Sequence, residues 1–187
     1  IGPGVQTRYG RILVWTDGSC LFPTISLLAR VGVGVHYGAI DSPCNVSVGL
    51  PGPDQSNNRA ELTAIAIVVA SSTSPVDIRT DSKWAADRLR WLQEYASRSP
   101  LHSWSHIDIW RQIHGSPNFR RCFDHQGVSC PWCVFNWIKG HATAEDVVAG
   151  IISARDRVGN YAADNLAGAA ATAASPDTAA CDSSFSL

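Results

Sequence analysis

The sequence predicts an α/β domain built on one mixed five-stranded sheet, and two observations carry that prediction. Three short apolar segments with brief links come first, the pattern of an antiparallel meander. From Asn58 onward the apolar period becomes helical, and strands then alternate with helices, an order that makes parallel pairs. The first three strands are expected antiparallel and the fourth and fifth parallel, with helices packed on the sheet.

Arg8 to Trp15 reads as the first strand, with Thr16-Asp17-Gly18-Ser19 as punctuation after it. Leu21 to Arg30 matches no regular pattern. Gly32 to Tyr37 forms the second strand, its glycines marking close backbone approach, and Val46 to Leu50 the third. Leu62, Ile65, Ala66 and Val69 recur at helical spacing inside Asn58 to Ala70, and Asn58 with Glu61 fits a capping box. Val76 to Thr80 is a strand before Asp81. Ser82 to Tyr95 is a helix anchored by Trp84, Leu89 and Leu92, and Ser97 to Ser105 is a polar break. Ile107 to His114 is helical, Val134 to Ile138 is the last strand, and Ala142 to Gly159 is a long loop. Asn160 to Ala173 is an alanine-rich helix. Residues 1–174 are expected to form one domain, and 175–187 a disordered tail.

At 187 residues, 45% hydrophobic and 17% charged, the chain is globular rather than disordered. A net charge of −1 excludes a strongly basic nucleic-acid coat, but not a nuclease whose acidic site offsets a basic groove. No apolar run reaches the ~20 residues of a membrane helix, so no membrane partner is expected. The N-terminus lacks a signal-peptide layout, which points to an intracellular location. Methionine is absent, which suggests a piece of a longer polypeptide. Six cysteines show no framework spacing and read as reduced thiols. Cys122, His125, Cys130 and Cys133 offer zinc-type ligands, but with one CxxC alone a loop of free thiols is the expected reading. Trp15, Trp84, Trp91, Trp110 and Trp137 are expected at core-facing positions, with Trp84 also a candidate contact.

Four acids stand where a sheet can gather them. Asp17 and Asp81 each follow a strand, and paired strands lie about 4.8 Å apart. Glu61 sits near the start of one helix and Asp164 near the start of another. Clustered carboxylates repel unless cations intervene, and hard divalent metals take oxygen ligands. Taken singly, each acid has an ordinary reading: Asp17-Gly18 as a turn, Glu61 and Asp81 as caps, Asp164 as a polar face residue.

Five words occur in order: Thr16-Asp17-Gly18-Ser19-Cys20, Asn57-Asn58-Arg59-Ala60-Glu61-Leu62, Thr80-Asp81-Ser82, Ile138-Lys139-Gly140-His141-Ala142 and Ala163-Asp164-Asn165-Leu166-Ala167. The set resembles the ribonuclease H family of type 1, over roughly Arg8 to Ala173. The resemblance implies that Asp17, Glu61, Asp81 and Asp164 are catalytic metal-binding carboxylates. His141 would sit on a mobile loop and assist water activation or product release. Cys20, Asn57, Asn58, Lys83, Trp84 and Asn160 would contact substrate. The implied reaction is endonucleolytic hydrolysis of the RNA strand of RNA–DNA hybrids, leaving 5′-phosphate and 3′-hydroxyl ends. Two Mg²⁺ ions would serve it, with Mn²⁺ able to substitute.

The chain departs from cellular members at Leu21 to Arg30, which replaces a short turn, and at Gln93 to His102, where a lysine-rich protrusion is expected. Weak intrinsic affinity for hybrid follows, and with it a retrotransposon-like parent carrying an attached reverse transcriptase. Asp156 is a rival for the fourth acid, placed second because it falls in the loop. Two other readings are a catalytically silent tethering module, which usually lacks an acid, and another nuclease or integrase of the same fold. The second of these would not share Asn57-Asn58-Arg59 or Gly140-His141.

Overall fold

The computed structural model describes residues 7–25, 27–95, 103–120 and 132–174. Its strands are β1 (Thr7–Arg8), β2 (Arg11–Leu21), β3 (Arg30–His36), β4 (Val46–Gly49), β5 (Val76–Thr80) and β6 (Cys133–Trp137). The helices are α1 (Asn57–Ser71), α2 (Lys83–Tyr95), α3 (Ile107–Gly115), α4 (Pro117–Arg120), α5 (Ala144–Val148) and α6 (Ala154–Ala173). The sheet order is β4-β3-β2-β5-β6, with β1 added to β2. β2, β3 and β4 pair antiparallel, whereas β5 runs parallel to β2 and β6 parallel to β5. The mixed sheet is as expected; the two-residue β1, folded back through Tyr9 and Gly10 at φ 50° and 74°, is an addition.

The first full strand runs later than its hydrophobic pattern suggests. Asp17 lies inside β2, because Asp17 to Leu21 stay paired with Gly34 to Arg30 on β3. A backbone ladder, which alternation does not report, carries the strand through Thr16-Asp17-Gly18-Ser19. Leu21 to Arg30 contains the link to β3, which leaves β2 through Phe22 at φ 54°.

The two faces of the sheet bury different layers. Val14, Val33 and Ile78 meet Leu62, Ile65 and Val69 of α1 and Leu89 of α2 in the larger core. Each such side chain, fully buried, contributes roughly 1.5–3 kcal/mol. On the other face Leu13 and Trp15 pack with Ile138, Ile152 and Ala163. Along β3 the valines at 31, 33 and 35 join the larger core, while Gly32 and Gly34 face α6. A Cβ on Gly34 would collide with the Ala163 carbonyl, so the glycine lets α6 lie directly on the strand.

α6 begins at Ala154, six residues before the expected start, and Ser153 caps it by accepting from Asp156 N. The expected loop from Ala142 to Gly159 therefore contains α5 and the first turns of α6. Asp156 is buried here: it accepts from Trp15 Nε1 at 3.2 Å, Ser153 Oγ at 2.8 Å and Arg79 at 3.5 Å. Arg79 also pairs with Asp77 at 2.9 Å. This network fixes the register of α6 on the sheet.

Two other expectations change. α1 is capped by Ser56, which accepts from Arg59 N, so Asn58 is inside the helix and Glu61 has no capping duty. Trp137 is 45% exposed rather than core-facing, with its Nε1 donating to the Asp81 carbonyl at 3.0 Å. Trp15 and Trp110 are fully buried, and Trp84 and Trp91 pack partly buried on the larger core. Cys133 is buried in β6. Cys122, His125, Cys130, much of the segment matching the basic protrusion, and the tail 175–187 lie outside the described residues. Among the described residues no helix is long and apolar enough to cross a membrane.

Candidate active site

The parallel register of β2 and β5 sets Thr16 opposite Thr80, so the next residues, Asp17 and Asp81, emerge side by side. α1 crosses beneath β2 and brings Glu61, in its second turn, to the same point. Ligand oxygens of Asp17, Glu61 and Asp81 lie within 4.8 Å of one another. Asp17 and Glu61 are each 4% exposed. Asp164 is mid-helix in α6, not at a helix start, yet it lines the same cleft.

Few local donors offset this concentration of charge. Gly18 N donates to Asp17 Oδ1 at 2.7 Å, Asn57 Nδ2 to Glu61 Oε1 at 3.4 Å, and Asn160 Nδ2 to Asp81 Oδ2 at 3.4 Å. Glu61 Oε2 is buried with no hydrogen-bond partner among the described residues. Burial, then the charges of Asp81 and Asp164, push the Asp17 carboxyl up to about 8. Burial first, and then Asp17, push Glu61 well above the ordinary carboxylate range, and burial raises Asp81. An all-oxygen donor set, mostly buried, with one oxygen unpaired and its ionised form disfavoured, fits a hard divalent cation.

The cleft around the acids has a volume of about 530 Å³. Cys20, Asn57, Asn58, Lys83, Trp84 and His141 all line it. Asn160 does not; it reaches Asp81 from an adjoining groove. Cys20 Sγ donates to the Gln55 carbonyl at 3.4 Å, and burial raises its thiol. Lys83 pairs with Asp87 one turn along α2. Trp84 is held in place by Arg88 over its ring at 4.6 Å and by Trp110 at 5.7 Å.

His141 has a positive φ of 47°, and Gly140 before it leaves no room for a Cβ beside the Asp81 carboxylate. The charge of His141 acts to lower the Asp81 carboxyl against its burial. Both flanks of this loop are anchored. Lys139 pairs with Asp146 at 2.6 Å, Asp146 also accepts from Thr143 N at 2.9 Å, and Arg157 Nε donates to the Ala142 carbonyl at 2.9 Å. Sequence reading missed Asp146 and Arg157. The Thr143–Asp146 capping spacing was the one available signal for the first, and nothing in the spacing marks the second.

A mixed sheet whose paired strand ends carry clustered acids defines the class: an α/β domain with a carboxylate cluster of the kind that can hold a divalent metal. The chain belongs to the RNase H family, whose model matches residues 10–172. It is 40% identical over 86 residues to a ribonuclease H of Schizosaccharomyces pombe, an alignment covering 46% of this chain and 32% of that protein. The chain thus matches about a third of that curated relative's length. Among solved structures, the fold resembles a foamy viral protease–reverse transcriptase in complex with dsDNA, at TM-score 0.58 and 20% identity, covering 87% of this chain and 94% of that one. It also resembles LC9-RNase H1, a type 1 RNase H with the type 2 active-site motif. There the TM-score is 0.53 and identity 20%, over 92% of this chain and 77% of that one.

Proposed function

We propose that this chain is an endonuclease that hydrolyses the RNA strand of RNA–DNA hybrids and leaves 5′-phosphate and 3′-hydroxyl ends. The observation that carries the reading is the meeting of Asp17, Glu61 and Asp81 within 4.8 Å, in a family of ribonucleases. These three and Asp164 would hold two Mg²⁺ ions, with Mn²⁺ able to replace them. When bound, the ions supply the positive charge that activates water and offsets the charge on the leaving oxygen.

The other roles belong to the chain's own groups. Asn160 orients Asp81 through its 3.4 Å hydrogen bond and sits beside the scissile phosphate. His141, outside the carboxylate set, assists water activation or product release. Cys20, Asn57 and Asn58 line the side of the cleft that meets RNA, where a 2′-hydroxyl is the group that distinguishes RNA from DNA. Lys83 and Trp84, on the first turn of α2, meet the DNA strand. A silent tethering role finds no support in a site that keeps all four acids.

An attached reverse transcriptase, as in a retrotransposon polyprotein, is the proposed partner. The charge balance supports it: the chain carries a net charge of −1, with Lys83 and Lys139 its only lysines.

The direct test of substrate class is incubation with end-labelled RNA–DNA hybrid, double-stranded RNA and double-stranded DNA in Mg²⁺. Cleavage of the hybrid's RNA strand alone is expected. Equal cleavage of all three would refute the assignment.

A further inference from the structure

A second groove, of about 230 Å³, adjoins the acidic cleft, and His141 and Asp164 line both. Its far wall is one face of α6. Arg157, Tyr161 and Asp164 follow at helical spacings of four and three, so they stand in a row. The row runs about 10 Å along the helix axis, the scale of one or two nucleotides. Tyr161 is 67% exposed and Val158 61%, two large apolar surfaces open in the groove wall. Lys139, also in the groove, is already paired with Asp146. Arg157 makes no ion pair among the described residues; its charge is felt by the exposed Glu145, and its Nε is held by the Ala142 carbonyl.

A strand whose scissile phosphate rests at the acids must leave the cleft on one side, and this groove is a continuous exit. The geometry points to it as a nucleotide subsite for the cut strand. The ribose next to the scissile bond packs on Tyr161 and Val158, and its phosphate meets Arg157. This rests on the hybrid-hydrolase reading and adds a contact set outside the five sequence words. An exposed aromatic face beside a cation offers the sugar an apolar contact and its phosphate a neutralising partner.

The test uses the full chain and two measurements: steady-state cleavage of a labelled hybrid, and the salt dependence of hybrid binding in an Asp17→Asn background. Tyr161→Ala should raise KM about fivefold or more with kcat within twofold, as the loss of an aromatic packing surface would. Arg157→Ala should make the log–log salt slope shallower by about 0.9, the value of one lost phosphate contact. Arg157→Lys keeps the charge and should restore the slope. If Arg157→Lys and Arg157→Ala both lower kcat and leave the slope unchanged, Arg157 serves only to hold the His141 loop, and the subsite is wrong. Tyr161→Ala kinetics equal to wild type would overturn it as well. Wild-type protein that leaves hybrid intact would instead bring down the hydrolase reading on which the subsite rests.

Discussion

Asn160 Nδ2 donates to Asp81 Oδ2 at 3.4 Å, so the last helix is tied to the end of β5 at the carboxylate cluster itself. Asn160 Oδ1, on the same amide, is buried without a hydrogen-bond partner among the described residues. Two separate devices hold the bond in place. Gly34 lets α6 lie against β3, and Asp156 locks the first turn of that helix to Trp15 and Arg79. A site of four acids from four elements depends on such register control, since an error of one residue in α6 would turn Asp164 by about 100°.

The metal-free protein should lose stability as pH rises. Asp17 holds its proton to about 8 in the folded state, against an ordinary value of 3.8 unfolded. The folded state therefore binds more protons between these values, and its stability falls across the window from about pH 4 to pH 8. Thermal melts in excess chelator should show Tm dropping over that range. Asp17→Asn should flatten the decline and melt above wild type at pH 8. A wild-type Tm that is flat or rises with pH in chelator would contradict the placement of these carboxylates.

Divalent cations should reverse that trend. Binding requires ionised carboxylates, so Mg²⁺ should raise Tm more at pH 8 than at pH 5. Saturation at 100 times Kd stabilises by about 2.7 kcal/mol. Ca²⁺ should stabilise as well but support no cleavage, because its longer, looser coordination misplaces the reacting oxygens. Melting shifts and cleavage assays in each ion check both halves. Robust cleavage in Ca²⁺ or in excess chelator would sink the metal account.

How the site read in the sequence depended on which interactions are local. Asp17 and Asp81 were legible because each follows a recognisable apolar run, and parallel pairing does the rest. The tightness of the cluster was not, because it depends on Gly18, at which a Cβ would stand 2.5 Å from Glu61 N. Asp164 was recognised by its surrounding word while its helix was misplaced. The turns from Ala154 to Gly159 are nucleated by Ser153 and held by Trp15, a residue 141 positions from Asp156. The Asn58 cap failed for the opposite reason: Ser56, two residues earlier, is an equally good local cap and wins. Trp137 is apolar by type but sits at the exposed end of β6.

The His141 loop should depend on its anchors. His141→Ala should slow turnover by roughly 10²- to 10⁴-fold if the ring moves a proton, and by less if it serves product release. Asp146→Ala removes both the Lys139 pair and the carboxylate that accepts from Thr143 N, so it should lower kcat by a smaller factor while KM holds. Amide hydrogen exchange at Gly140 to Thr143 should speed up in Asp146→Ala. Unchanged exchange together with unchanged kcat would show that the anchors are idle.

The isolated domain should hold hybrid weakly. With about four phosphates neutralised, the log–log salt slope should be near −3 to −4. Joining the chain to a reverse transcriptase, or grafting a lysine-rich segment between Gln93 and His106, should tighten binding and steepen the slope. Nanomolar affinity of the isolated domain in physiological salt would remove the need for a partner.

The central claim is that Asp17, Glu61 and Asp81 form one catalytic carboxylate centre, and a single comparison tests it most directly. Wild type, Asp17→Asn and Asp81→Asn are incubated with labelled RNA–DNA hybrid in Mg²⁺ after circular dichroism shows all three folded. Wild type should cut the RNA strand, and both variants should show no measurable cleavage. Near-wild-type turnover by either folded variant would contradict the claim.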